Sequence, residues 1–307
     1  MRKNFLSILD FTTEELSDIL DLANELKELS KKGQYPSLLA GKALAMFFEK
    51  PSNRTRVSFD VAIHQLGGYS INLEPSSIQL GGRESIADVA RTLSRYVDGA
   101  VMRTFSHEMV EEFASHATFP VINGLTDFNH PCQALADIMT IFEKKGKRND
   151  IVLSYVGDGN NVLQSLIGVA VRFGITLRVA CPEKYFPEKE VLEFVKKNTK
   201  NNILIIDSPE EAVKSADVIY TDVWTSMGHE DEKEDRKKAF LPYQINSRLL
   251  SFAKKDAIVM HCLPAHRGEE ITDEVIDGQQ SVVFDQAENR LHAQKAVLVK
   301  LMKKDKE

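Results

Sequence analysis

Short apolar runs alternate with longer amphipathic segments along the whole chain, and this alternation limits the fold more than any other feature. Apolar runs of about 4–8 residues between segments with helical spacing mark parallel strands covered by helices. An opening helix is expected over Thr13 to Ser30. A first series of strands is expected at Ala43 to Phe48, Ser70 to Leu73, Ala100 to Arg103 and Pro120 to Ile122. A second series is expected at Ile151 to Val156, Thr176 to Ala180, Ile203 to Ile206, Val218 to Thr221, Ala257 to His261 and Ser281 to Phe284. Between them, Pro131 to Lys145 reads as one helix, with proline at its first position and Gly146 as its stop. The fold class is therefore α/β, with two domains, each a parallel-sheet α/β sandwich, joined by interdomain helices. At 307 residues and 43% hydrophobic content the chain has room for two cores. The expected boundaries are 1–133, completed by a closing helix over 288–304, and 134–287.

Composition narrows the partners. A net charge of −6 argues against a general nucleic-acid surface, which needs a basic excess. No apolar run approaches the ~20 residues needed to span a bilayer, and the N-terminus lacks the pattern of an export signal. The three cysteines, Cys132, Cys181 and Cys262, are too few and too odd in number for a disulfide framework. A cytoplasmic protein with free thiols is expected, although a mature organellar chain would read the same way.

Several short segments carry chemistry. Ser52-Asn53-Arg54-Thr55 follows a strand and opens a helix, with Ser52 as candidate N-cap. Unpaired N–H groups at a helix start, hydroxyls at Ser52 and Thr55 and the Arg54 guanidinium suit a phosphate dianion. Arg103 closes a strand at the edge where α/β sheets place ligands, so it serves either a ligand or a structural ion pair. Gln79 and Arg83 lie in a polar loop that folds over a ligand or reaches a neighbouring subunit. His130 and Gln133 flank the start of the Pro131 helix, where an imidazole N–H can donate to a carbonyl oxygen gaining charge.

Gly157-Asp158-Gly159-Asn160-Asn161 resembles half a dinucleotide fingerprint but lacks its third glycine, and Asn161 offers an amide suited to an amino-acid carboxylate. Asp222 sits just beyond a strand, where it can pair with an α-ammonium or cap a helix, and Ser226-Met227-Gly228 follow it. The charged run from Gly228 to Lys238 reads as a solvated loop and helix start, with a mobile lid as the alternative. Cys262, at a strand end before Pro264, is either a packing thiol or a group placed beside a reacting amine. His261, Cys262 and Asp222 supply three ligand types for zinc where a structural site normally needs four, so no resident metal and no cofactor are expected.

The Ser-x-Arg-Thr loop, the His-Pro-x-Gln helix start and the late His-Cys-Leu-Pro together resemble the aspartate/ornithine carbamoyltransferase family, in order and over nearly the whole chain. Asp222 through Gly228 and Cys262 look like its ornithine branch. The resemblance implies transfer of the carbamoyl group of carbamoyl phosphate to the δ-amine of L-ornithine, giving citrulline and phosphate in arginine biosynthesis. It implies that Ser52, Asn53, Arg54, Thr55, Arg103, His130 and Gln133 bind carbamoyl phosphate, with Gln79 reaching in from an adjacent subunit. It further implies Asn161, Asp222, Ser226 and Met227 for ornithine, Cys262 and Leu263 beside the carbamoyl group, and Arg290 closing on it. Arg103, His130, Cys262 and Asp222 become the catalytic set. A homotrimer, or a multiple of trimers, is implied as well. Asn53 departs from the family's usual threonine, which leaves backbone N–H contacts but removes a hydroxyl. The competing readings are a carbamoyltransferase for another amine such as putrescine or aspartate, a non-catalytic carbamoyl-phosphate-binding paralogue, and a nicotinamide-dependent dehydrogenase.

Overall fold

The structure is a computed structural model that describes residues 3–78, 80, 82, 84–146, 150–187, 189–198, 202–226 and 230–303. In chain order the main elements begin with α1 (Thr13–Lys31), β1 (Ala43–Phe48), α2 (Asn53–Gln65), β2 (Tyr69–Leu73), α3 (Ile86–Leu93), β3 (Gly99–Arg103), α4 (His107–His116) and β4 (Val121–Leu125). They continue with α5 (Pro131–Lys145), β5 (Val152–Val156), α6 (Asn161–Phe173), β6 (Thr176–Ala180), α7 (Lys189–Asn198) and β7 (Ile203–Ile205). The last are β8 (Val218–Thr221), α8 (Lys233–Phe240), β9 (Ile258–His261) and α9 (Val283–Met302). Two compact units result, one of Met1–Ala136 with Glu288–Glu307 and the other of Asp137–Ala287. The divisions fall inside α5 and inside α9.

In the first unit a four-stranded parallel sheet runs β2-β1-β3-β4. The chain leaves β1 for β2 on one side, then returns to β3 on the other. That reversal opens a crevice beyond the carboxyl ends of β1 and β3, the place where open α/β sheets take ligands. Phe48 pairs in register with Arg103 there, and the Glu49 N–H donates to the Arg103 carbonyl at 2.8 Å. The loop after β1 is thus fixed beside the last residue of β3. The sheet is anchored by a core in which Ala45, Phe47, Ala100, Met102 and Val121 pack against Val89 of α3 and Val110 and Phe113 of α4. Each large apolar side chain removed from water there contributes about 1.5–3 kcal/mol.

The second unit repeats the arrangement with five parallel strands in the order β7-β6-β5-β8-β9. Its reversal lies between β5 and β8. The segments leaving those strands, Gly157 to Asn161 and Asp222 onward, therefore meet, with Cys262 following neighbouring β9. Val156, Ala180, Ile219 and Val259 from the strands form a core with Ile245, Leu249 and Ile271.

The parallel two-sheet α/β class expected from the alternation is the fold observed. One expected strand is not. Ser281 makes a single bridge to Val259, and Val283 already begins α9, so Ser281 to Phe284 is a helix entry. The apolar run Val282-Val283 is buried in either conformation, and such short runs carry no periodicity to separate strand from helix.

Candidate active site

In the first unit, α2 begins at Asn53 because Ser52 caps it: the Thr55 N–H donates to Ser52 Oγ at 3.2 Å. Ser52 and Arg54 are half-buried, Asn53 is exposed and Thr55 is buried, so the first turn of α2 presents a graded polar surface. Arg290 of α9 reaches the same turn. Its Nη2 donates to Thr55 Oγ1 at 3.1 Å and its Nη1 to Gln133 Oε1 at 2.7 Å, tying the phosphate-type loop to the first turn of α5. Because the Thr55 oxygen accepts from Arg290, the hydroxyl proton is the group it has to offer a ligand.

His130, just before α5, is 4% exposed. Burial holds its imidazole well below the usual histidine range, and the guanidiniums of Arg290, Arg103 and Arg54 push it further the same way. Three cations therefore face one neutral ring. That concentration of positive charge beside an uncharged donor suits an anionic ligand. Cys132, beside it, is a packing thiol: burial pushes it up to about 12, and it donates to the Asn123 carbonyl at 3.3 Å.

In the second unit, the Asp222 carboxylate is 6% exposed and is held from two sides. Asn160 Nδ2 donates to its Oδ2 at 2.8 Å, and the Cys262 thiol donates to its Oδ1 at 2.9 Å. Cys262 itself is half-exposed, in contrast to buried Cys181, whose thiol burial also raises. Next along the chain, Leu263 has a left-handed backbone with φ of 58°. For a branched residue that costs about 1–2 kcal/mol, and its N–H is held by His261 Nδ1 at 2.9 Å. His261 Nδ1 is thereby an acceptor, so Nε2 carries the proton and donates to buried Glu270 at 3.0 Å. Asn161 and Ser226 are half-buried, at the start of α6 and in the loop after β8. Asp222, His261 and Cys262 also present ligand atoms within 4.8 Å of one another, three donors where a closed zinc site needs four.

The sequence-derived residues of the first unit, Ser52, Asn53, Arg54, Thr55, Arg103, His130, Gln133 and Arg290, thus gather at one sheet edge. Those of the second, Asn161, Asp222, Cys262 and Leu263, gather at the other sheet's reversal, with Ser226 on the same loop as Asp222. Gln79, Arg83, Met227 and Gly228 lie outside the described residues.

Two groups escape a reading of the sequence. Asn160 is one, discussed below. The other is Arg236, which sits in the charged run yet is 7% exposed. It pairs with Asp158 at 3.1 Å and Glu232 at 3.1 Å, and donates to the Trp224 carbonyl at 2.9 Å. The run is therefore solvated on the face carrying Lys233, Lys237 and Lys238 but anchored through this arginine.

The glycines of the Gly157 loop have steric explanations that need no dinucleotide. Gly157 has φ of 149°, and a Cβ on Gly159 would stand 2.6 Å from the Phe186 carbonyl carbon, 2.5 Å from the Pro187 nitrogen and closer still to the Tyr185 carbonyl oxygen. Gly159→Ala is expected to destabilise the protein by about 1–3 kcal/mol, since backbone must move to admit the methyl. Urea unfolding with an unchanged midpoint would contradict that packing.

Comparison with known proteins gives the family. Residues 3–143 match the family model described as aspartate/ornithine carbamoyltransferase, carbamoyl-P binding domain, and residues 149–301 match the one described as the Asp/Orn binding domain. The chain is 54% identical to an ornithine carbamoyltransferase of Thermococcus kodakarensis, covering 98% of this chain and 96% of that protein. It is 53% identical to an anabolic ornithine carbamoyltransferase of Pyrococcus furiosus, again over 98% and 96%. The solved structure of ornithine carbamoyltransferase from Pyrococcus furiosus superposes with a TM-score of 0.95 at 52% identity, covering 99% of this chain and 98% of that one. Matched by both family models over residues 3–143 and 149–301 and by relatives more than 50% identical over nearly its whole length, this chain belongs to the aspartate/ornithine carbamoyltransferase family.

Proposed function

We propose that this enzyme transfers the carbamoyl group of carbamoyl phosphate to the δ-amine of L-ornithine, giving L-citrulline and phosphate in the direction of arginine biosynthesis. The observation that carries the reading is the neutral, buried His130 ringed by Arg290, Arg103 and Arg54 beside the capped start of α2. The domain expected over residues 1–133 with 288–304 takes carbamoyl phosphate and the one over residues 134–287 takes ornithine, the compact units themselves dividing three residues later, after Ala136. The phosphate sits on the first turn of α2, held by Ser52, Thr55, Arg54 and the backbone N–H of Asn53. The carbonyl oxygen points to Arg103, Thr55 and His130, and Gln133 with Arg290 completes the cradle. Asp222, Asn161, Ser226 and Met227 hold the amino-acid end of ornithine, while Cys262 and Leu263 flank the carbamoyl group. Gln79 is assigned to carbamoyl phosphate as well.

The reaction is attack of a neutral amine on a trigonal carbon. A free alkylammonium has a pKa near ~10.4, so presenting the neutral amine at pH 7 costs about 4–5 kcal/mol. The polar groups of the second unit offset that cost by holding the nitrogen in place, and proximity supplies the largest part of the rate. As the C–N bond forms, charge grows on the carbonyl oxygen, where fixed N–H and O–H donors stabilise it. His130, being neutral, does this as a donor without giving up its proton. The carbon–oxygen bond to phosphate then breaks, and the leaving phosphate, already paired with Arg54, carries the electron pair and accepts the proton released by the amine.

The two family-model matches and the relatives named above support both substrates. We further read the active form as a cytoplasmic homotrimer. The edge strand β2 supports an assembly, because Tyr69 and Ile71 on it are 53% and 38% exposed. No described helix is long and apolar enough to cross a membrane. An assay with carbamoyl phosphate and a panel of ornithine, putrescine, aspartate and lysine tests the function: ornithine should be carbamoylated with the highest kcat/KM. A preference for any other amine, or no turnover, would refute it.

A further inference from the structure

Within the second unit, one side chain outside the set assigned above ties Asp222 to the start of the helix that carries Asn161. Asn160 is the N-cap of α6: its Oδ1 accepts from the N–H groups of Val162 at 3.0 Å and Leu163 at 3.2 Å, and from the Tyr155 hydroxyl at 3.3 Å. Its Nδ2 donates to Asp222 Oδ2 at 2.8 Å. The amide oxygen therefore fixes where α6 begins, and hence where Asn161 stands, while the amide nitrogen fixes which way the Asp222 carboxylate faces. With Cys262 on Oδ1, this leaves the carboxylate one defined orientation.

We propose that Asn160 is a positioning residue for ornithine, binding Asp222 to the cap of α6 so that the carboxylate and the Asn161 amide meet the amino acid as one rigid unit. The inference rests on the reading of the second unit as the ornithine domain. Among the residues that cap helices well, asparagine alone carries the cap acceptor and the carboxylate donor on two separate atoms, so one side chain reaches both the α6 N–H groups and Asp222. Aspartate keeps the acceptor and has no donor, and serine has a single oxygen, one bond shorter, that cannot occupy both the Oδ1 and the Nδ2 positions. Aspartate also sets a second negative charge against Asp222.

This dual demand gives a test that helix capping alone cannot imitate. As caps, asparagine, aspartate and serine are nearly equal, so Asn160→Ser should keep a melting temperature within a few degrees of the parent, while Asn160→Asp, which sets a second carboxylate against buried Asp222 in the folded state, should melt lower. Loss of the hydrogen bond to the carboxylate should raise KM for ornithine about 10-fold in Asn160→Ser, and like-charge repulsion should bring the rise to about 100-fold in Asn160→Asp. KM for carbamoyl phosphate should stay within about two-fold, because the change lies in the other substrate's unit. Ornithine KM within two-fold of the parent in both variants, or equal losses for both substrates, would overturn the proposal. If Asn160→Asp fails to fold, Asn160→Ser decides alone by the same criterion. A parent enzyme that makes no citrulline from ornithine would instead show that the underlying reading is wrong.

Discussion

Arg54→Ala is expected to weaken carbamoyl-phosphate binding by at least about 100-fold in calorimetry, since a charge-assisted contact to phosphate is worth about 1.5–3 kcal/mol and a guanidinium makes two. Its position in the helix sets the size of the effect. Arg54 is the second residue of α2, so its cation adds to the N–H groups and positive dipole end of the same turn. It is also half-buried, so its removal leaves no cavity in the core, and the variant should melt near the parent. Near-normal affinity would mean that the anion is held elsewhere. Because Arg54 is one of the cations facing His130, the same substitution should also relax the downward pressure on that imidazole.

His130→Ala should lower kcat by about 100- to 1,000-fold with a much smaller effect on carbamoyl-phosphate affinity, the range seen when one donor to a developing oxyanion is removed. His130→Asn, which retains an N–H donor, should recover part of that loss. The pH dependence follows from the direction of the shift. With its folded pKa held well below 6.5 by burial and by Arg290, Arg103 and Arg54, the ring stays neutral through the ordinary histidine range. The kcat profile should therefore show no inflection near pH 6.5 that disappears in His130→Asn. For stability the sign is that of a depressed group: its contribution is fully present above the unfolded pKa of about 6.5 and is lost as pH falls toward the folded value. A profile that broke near 6.5 and lost the break on substitution would mean a titrating, proton-transferring histidine.

The parts of this account that were legible in the sequence are those set locally. β1, α5 and β6 were readable to the residue because apolar runs, a Pro131 start and a Gly146 stop encode them within a few positions. The gathering of Ser52, Arg103 and His130 was readable as well, since in a parallel sheet all the strand ends that feed ligand loops lie on one edge. Long-range pairing was not. Arg236 looked solvated because its own neighbours are charged, and only the distant Asp158 makes it a buried anchor. Asn160 drew no role of its own from the sequence, because its amide is explained by Asp222, which β8 brings beside β5. The run at Val282-Val283 misled for a third reason: burial without periodicity suits a helix entry as well as a strand.

The central claim is that one carbon passes directly from a phosphate to the side-chain nitrogen of ornithine. It is tested most directly by following carbonyl-13C carbamoyl phosphate with ornithine and the enzyme by NMR. The account predicts that the label moves into the ureido carbon of citrulline as one phosphate is released per citrulline formed. Label appearing only in cyanate or bicarbonate at the uncatalysed rate, with ornithine unchanged, would contradict it.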